Sequence, residues 1–150
     1  MARQAGRNVK WFVVWHKDLE VTRDIAEHSG TAGEINKIYA NHETFLEQVR
    51  PLAVFVSLKL HAVALATCAF VPSVMLEYRP KCRYYMRSIG QDEATIRTDK
   101  FRAEDVWEIV KTFETRRPDF SRRLYADIKL VRDRQREMAE MLMRTMEEAG

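Results

Sequence analysis

Two short polar turns interrupt the most apolar part of the chain, and their side chains are the ones able to do chemistry. The first, Ser57-Leu58-Lys59-Leu60-His61, offers a hydroxyl, an ammonium and an imidazole. The second, Glu77-Tyr78-Arg79-Pro80-Lys81, offers a carboxylate, a phenol and two more cations. Each turn opens a segment of helical character, with Pro80 at a first helical position. Free backbone N–H groups and the helix dipole favour an anion at such a mouth. A phosphate or a carboxylate is therefore the ligand chemistry the two turns share. Imidazole as a group titrates near neutral pH, which makes His61 the candidate proton-transfer residue. His16 stands at the end of an earlier strand, on the same expected edge, as a further candidate. The plain structural alternative makes His61 a helix cap and Glu77 half of a surface salt bridge.

The elements that must position these groups run from Leu52 to Lys81. A strand-length apolar run is broken by polar residues, followed by a longer Ala-rich apolar segment and a second apolar run, which is how a parallel βαβ crossover reads. In open α/β sheets, ligands sit outside the carboxyl ends of the strands, so Ser57, Lys59, His61, Glu77, Tyr78, Arg79 and Lys81 are expected around one shared site. Upstream, Val9–Trp15 predicts a first strand. Asp18 is the expected cap of a helix over Leu19–Ser29, with Val21, Ile25 and Ala26 inward and Gly30 closing it. Thr31–Glu34 reads as a loop and Ile35–Ala40 as a weaker strand. Asn41 caps a helix over His42–Arg50 that buries Phe45, Leu46 and Val49 and ends at Pro51. Downstream come a helix over Cys82–Ile89 stopped by Gly90, a short edge strand at Ala94–Arg97 and an amphipathic helix over Ala103–Phe113. The alternation points to a three-layer α/β sandwich with a mostly parallel sheet.

The last stretch differs from the rest. From Asp119 to Glu148 there is no Gly or Pro, and Leu124, Ile128, Val131, Gln135, Met138, Leu142 and Thr145 alternate steps of four and three, a heptad seam softened at two places. A helix of that length reaches roughly 45 Å, more than the width of so small a domain. The chain therefore divides into an α/β domain over residues 1–118 and a long amphipathic helix over 119–150 that packs on the domain or on a partner.

With 150 residues and 46 % hydrophobic content the chain has material for one core and too little for two ordinary domains. A net charge of +3 with no basic run interleaved with aromatics gives no sign of nucleic-acid binding. Cys68 and Cys82 fit neither a metal-ligand spacing nor a disulfide framework, which suits a reducing cytoplasm, and Cys68 is expected to be a small buried hydrophobe. Trp11, Trp15 and Trp107 read as core, and His28 and His42 as solvent-facing bystanders. No segment reaches the roughly 20 apolar residues of a membrane span, and no leader stands before the first strand, so at most a peripheral membrane contact is expected. Gly-rich dinucleotide and P-loop signatures are absent, which argues against a nucleotide cofactor.

The joint pattern Lys59-Leu60-His61, Phe70-Val71-Pro72 and Tyr78-Arg79-Pro80-Lys81 resembles the C-terminal region of the polysaccharide pyruvyl transferase family. There, a strand leads to an Arg/Lys-Leu-His turn, an Ala-rich helix, a Gly-Val-Pro-type bend, a second strand and a Tyr-x-Pro-Lys turn. The likeness is strongest over Val54–Gly90, extends loosely from Val9 to Phe113, and leaves the last helix uncovered. It implies the Rossmann-like C-terminal half of a GT-B-like transferase that moves a pyruvyl group from phosphoenolpyruvate to glycan hydroxyls as a ketal. The setting is cytoplasmic biosynthesis of cell-surface polysaccharide or exopolysaccharide. By the same resemblance Lys59 and His61 contact the donor, Lys59 holding its phosphate or carboxylate and His61 acting as the general acid, and Leu60 between them counts among the donor-binding residues. Phosphoenolpyruvate is the donor substrate and no further cofactor or metal is implied. Lys59 stands where Arg is usual, which replaces a planar fork by a point charge. A GT-B enzyme also needs a second, N-terminal half, and activity is expected to depend on one supplied by another segment or chain. The partners that follow are phosphoenolpyruvate, a glycan acceptor, and a second copy or complementary half contacting the last helix. Two alternatives remain from the residues themselves: a non-catalytic α/β assembly module, and the donor domain of a GT-B glycosyltransferase binding a nucleotide sugar through Glu77.

Overall fold

The structure is a computed structural model that describes residues 1–31, 33, 35–37 and 41–148. Five strands and six helices alternate along it. Strand β1 (Trp11–Val13) leads through a 3-10 turn into α1 (Leu19–His28), then come β2 (Ile35–Lys37), α2 (His42–Val49), β3 (Phe55–Ser57), α3 (Leu60–Cys68), β4 (Ser73–Glu77), α4 (Pro80–Ser88), β5 (Thr95–Arg97), α5 (Ala103–Thr115) and α6 (Arg117–Glu148). Every strand pair is parallel: Trp11 lies opposite Ile35, Phe55 opposite Ser73, and Met75 opposite Thr95. The fold class is α/β, consistent with a Rossmann-like arrangement.

Among the described residues the ladder is not continuous. It forms one sheet of β1–β2 and another of β3–β4–β5, in place of the single sheet the alternation suggests. Side chains join the two: Phe12 of β1 meets Phe55 of β3 with ring centroids 6.0 Å apart, and both contact Phe45 of α2 at 5.7 and 5.8 Å. Edge-to-face ring packing of this kind is worth about 1 kcal/mol per pair beyond the area it buries.

Strand β4 is central to its sheet, and Val71 through Met75 are all buried. That explains its unbroken apolar character, since parallel strands are covered on both faces. Helix α3 lies against both β3 and β4 and buries Ala62, Val63, Ala66 and Thr67, small side chains that let it approach closely. The Thr67 hydroxyl keeps its hydrogen-bonding capacity filled by donating to the Ala64 carbonyl and meeting the Tyr85 hydroxyl. Asn41 caps α2 as expected, its side-chain oxygen accepting from the Thr44 N–H at 3.0 Å.

Helices α1, α3 and α4 end alike, in a left-handed residue followed by an N–H that reaches back to the last turn: Thr31 to Ala26, Val71 to Ala66 and Gln91 to Met86. The left-handed residue is Gly30 in α1 and Gly90 in α4. In α3 it is Phe70, at a φ of 59°. Glycine is the usual occupant because it has no Cβ to crowd.

Several local expectations are corrected. β1 is confined to Trp11–Val13, shorter than Val9–Trp15. Asp18 does not cap α1 with its side chain; the carboxylate is drawn instead to Lys59. Val21 and Ile25 point outward at 59 % and 51 % exposure, because α1 turns its smaller residues inward and buries Ala26. Cys68, the last residue of α3, is exposed, one step round the helix from the buried Thr67, whereas Cys82 is buried. The helix after β4 begins at Pro80, as expected for a first helical position, so the expected span Cys82–Ile89 starts two residues late. Of the expected strand Ile35–Ala40, residues 38–40 lie outside the described residues, as do Ala32 and Glu34 of the preceding loop. Helix α6 starts at Arg117 and inserts Phe120, Leu124 and Ile128 into the main core. No helix of the described residues is long and apolar enough to cross a membrane.

Candidate functional site

Because the strands are parallel, the segments after β1, β3 and β4 all leave from carboxyl ends. The turn after β3 is fixed by Ser57, whose hydroxyl oxygen accepts the Lys59 N–H at 2.9 Å. This local closure turns the chain sharply from strand to helix, with Lys59 extended and His61 exposed in the first turn of α3. Ser57 therefore acts through the backbone of the turn.

An open groove of about 420 Å³ lies beside this turn. Its lining combines the apolar Val14, Phe45, Ala62 and Leu65 with Trp15 and the polar Lys59, His61 and His42. Residues from the segment after β1, from α2 and from the turn and first part of α3 thus meet there. The Lys59 ammonium is 2.9 Å from the Asp18 carboxylate and 4.9 Å from the Trp15 ring centroid. Lys17 approaches the same ring at 5.3 Å, and His16 contacts it edge-on at 6.0 Å. Two cations over one indole make that face electropositive. A single carboxylate offsets part of the charge.

The turn after β4 is arranged differently. Glu77 is nearly covered and forms an ion pair with Arg83 at 3.1 Å. Arg83 in turn reaches Asp92 at 3.3 Å, and Asp92 also pairs with Arg87 at 3.4 Å. The Glu77 carbonyl accepts the Thr98 hydroxyl at 3.0 Å. These contacts tie β4, α4 and the approach to β5 together. Tyr78 is exposed, with the Lys81 ammonium 6.0 Å from its ring centroid. Arg79 sits at the cap of α4, exposed and with no ion pair among the described residues.

Of the sequence-predicted residues, the structure brings Lys59 and His61 into the groove. It places Tyr78, Arg79 and Lys81 at the next strand end, on the same rim but outside the groove lining, while Glu77 is engaged in a structural ion-pair network. Leu60 is half-buried at the first position of α3. His16 stands at the groove's edge through Trp15. Sequence reasoning missed three participants. Trp15 was expected in the core, yet it is 47 % exposed and forms a groove wall. His42 was expected to be a bystander, and Asp18 a helix cap. The available signal was position: Trp15 follows β1 and His42 opens α2. No group of His, Cys, Asp and Glu able to hold a metal ion occurs among the described residues.

Comparisons with known protein families, curated proteins and solved structures find no match to this chain.

Proposed function

We propose that this chain is the donor-binding half of a polysaccharide pyruvyl transferase, a cytoplasmic enzyme of cell-surface or exopolysaccharide synthesis. The observation carrying the reading is the groove at the ends of β1 and β3, whose lining combines an ammonium and two imidazoles with apolar side chains. Phosphoenolpyruvate has a matching mixed character: a phosphate and a carboxylate on a small apolar enol. A second observation agrees. The resemblance puts glycine where this chain has Phe70, and Phe70 holds a left-handed φ of 59°, the conformation glycine favours.

In this mechanism the first turn of α3 and Lys59 bind the donor anion, and Trp15 keeps the Lys59 side chain extended over the groove. His61 delivers a proton to the methylene carbon of the enol, which becomes the methyl group. The carbon bearing the phosphate takes on positive character and forms a bond to a glycan hydroxyl oxygen. Its bond to the phosphate oxygen breaks, and a second hydroxyl closes the ketal. Of the two hydroxyl protons, one restores His61 and the other leaves with phosphate. Arg79 and Lys81, on the same rim, add positive charge that favours the anionic donor. The glycan-binding surface and further donor contacts come from a second half.

The test is calorimetric titration with phosphoenolpyruvate. His61→Ala and Lys59→Ala are each expected to weaken binding at least tenfold, the loss of roughly 1.4 kcal/mol or more. Asp18→Asn is expected to tighten it severalfold by releasing Lys59 from its carboxylate. Unchanged binding in both alanine variants overturns the donor site. Displacement of phosphoenolpyruvate by a nucleoside diphosphate would favour the nucleotide-sugar alternative, although Glu77, the residue that alternative needs, is occupied by Arg83.

A further inference from the structure

Helix α6 changes character midway. Phe120, Leu124 and Ile128 are buried against the core, the Ser121 hydroxyl donates to the Phe70 carbonyl at 3.0 Å, and Arg117 donates to the Arg50 carbonyl at 3.1 Å. From Arg134 to Glu148, however, every residue is exposed. The apolar face does not stop there. Met138 and Leu142 continue the seam that docks Leu124 and Ile128, and Met141 and Met146 widen it. Their exposures of 66 %, 61 %, 64 % and 64 % make one contiguous apolar face of several hundred Å², on the order of the patches that mark association surfaces.

Charge identifies what covers it. The near part of the projecting segment carries Arg132, Arg134 and Arg136 against Asp133, and the far part carries Glu137, Glu140, Glu147 and Glu148 against Arg144. The segment is basic at one end and acidic at the other, so it is complementary to itself reversed. Arg134 and Glu148 make no ion pair among the described residues, leaving both charges available.

We infer that the projecting half of α6 pairs antiparallel with the same segment of a second copy, across a twofold axis near Met138–Leu142. Antiparallel heptad packing sets the seam positions of one helix opposite those of the other. Met138 then faces Leu142 of the second copy twice over, and Gln135 faces Thr145 at the layers outside. Ala139 and Met141 each lie near their own counterparts on the two sides of the axis. Arg134 flanks Glu148 of the second copy at both ends. A parallel pair would instead set the arginines against one another, and the glutamates likewise, with the two helix dipoles aligned unfavourably. Two helix segments of roughly 22 Å make a contact smaller than the standard interface of about 800 Å² per partner, so the dimer is expected to dissociate in the micromolar range.

Sedimentation equilibrium of the full chain between about 5 and 500 μM tests this, because a dimer of this kind forms by mass action. A monomer–dimer equilibrium is expected, and Leu142→Glu, an exposed site whose change leaves the circular dichroism spectrum intact, should weaken it at least tenfold. Arg134→Glu and Glu148→Arg should each weaken association severalfold, and the double variant should recover it. In a Cys68→Ser background, Ala139→Cys should form a disulfide-linked dimer on oxidation. A monomer at the highest concentration overturns the inference and assigns the seam to a different chain. So does a dimer indifferent to Leu142→Glu, and absence of recovery in the charge-reversed double variant overturns the antiparallel arrangement. Phosphoenolpyruvate binding does not enter any of these readouts, so the two proposals fail separately.

Discussion

Tyr85 shows how much one polar atom constrains the interior. Its hydroxyl meets Thr67 between α4 and α3, and burial pushes the phenol above its ordinary pKa, partly countered by the Thr67 hydrogen bond. The folded state thus holds the phenolic proton more tightly than the unfolded chain does. Its contribution is fully present below pH 10 and is lost as pH rises through the folded value. Stability measured by urea denaturation is therefore expected to fall, as pH rises above about 10, more steeply in the native chain than in Tyr85→Phe. At pH 7 that variant should be only about 1 kcal/mol less stable, because Thr67 keeps its bond to Ala64. An equal alkaline slope in both would show that the phenol is not responsible. This pairing could not be read from the sequence, where Thr67 is one polar residue in an apolar helix and Tyr85 lies 18 positions away. Cys68 was expected to be buried and is exposed for the same reason. Composition identifies a buried helix, but the rotation of that helix decides which neighbour is covered, and only packing sets the rotation. At the groove, Lys59 and His61 were legible because strand ends are recognisable. Trp15, Asp18 and His42 were not, since each joins the site through contacts between elements far apart in sequence.

Among the elements, α6 is two helices in one. Leu124 is 1 % exposed and belongs to the core, whereas Leu142 continues the same seam in solvent. Leu124→Ala should cost about 3 kcal/mol, typical of a buried leucine, and Leu142→Ala less than about 0.5 kcal/mol in the monomer. Equal losses in chemical denaturation would contradict this division. The heptad spacing was visible in the sequence, together with the excess length, but not the point where docking ends. That point depends on how far the domain surface extends beneath the helix. Elements with strong local signals were placed well: α2 by Asn41 and Pro51, α4 by Pro80 and Gly90, and β4 by its unbroken apolar run. Helix α1 was placed correctly, but of Val21, Ile25 and Ala26, all read as inward, only Ala26 is buried.

For the molecule as a whole, the joint between the two sheets is the least expected feature. Alternating strands and helices predict one parallel sheet, yet among the described residues side chains rather than a ladder connect β1 to β3. The Phe12, Phe45 and Phe55 rings bear that connection, with Phe45 only 1 % exposed. Phe12→Ala should destabilise the chain by about 3 kcal/mol and loosen the β1–α1–β2 unit first. Hydrogen exchange would then accelerate at Trp11–Val13 and Ile35–Lys37 before β4, and uniform acceleration would refute the idea of a separable unit. The groove lies across this joint, drawing Trp15 from one side and Lys59 and His61 from the other.

Phe70 links these scales. A bulky residue in a left-handed bend costs about 1–2 kcal/mol that glycine would not, and here the bend presents its ring to Tyr125 at 5.1 Å and its carbonyl to Ser121. The bend itself is held by the end of α3, where the Val71 N–H reaches back to Ala66. One residue thus both closes α3 and furnishes a docking point for α6, so replacing Phe70 by glycine would ease the backbone while removing the ring that Tyr125 meets.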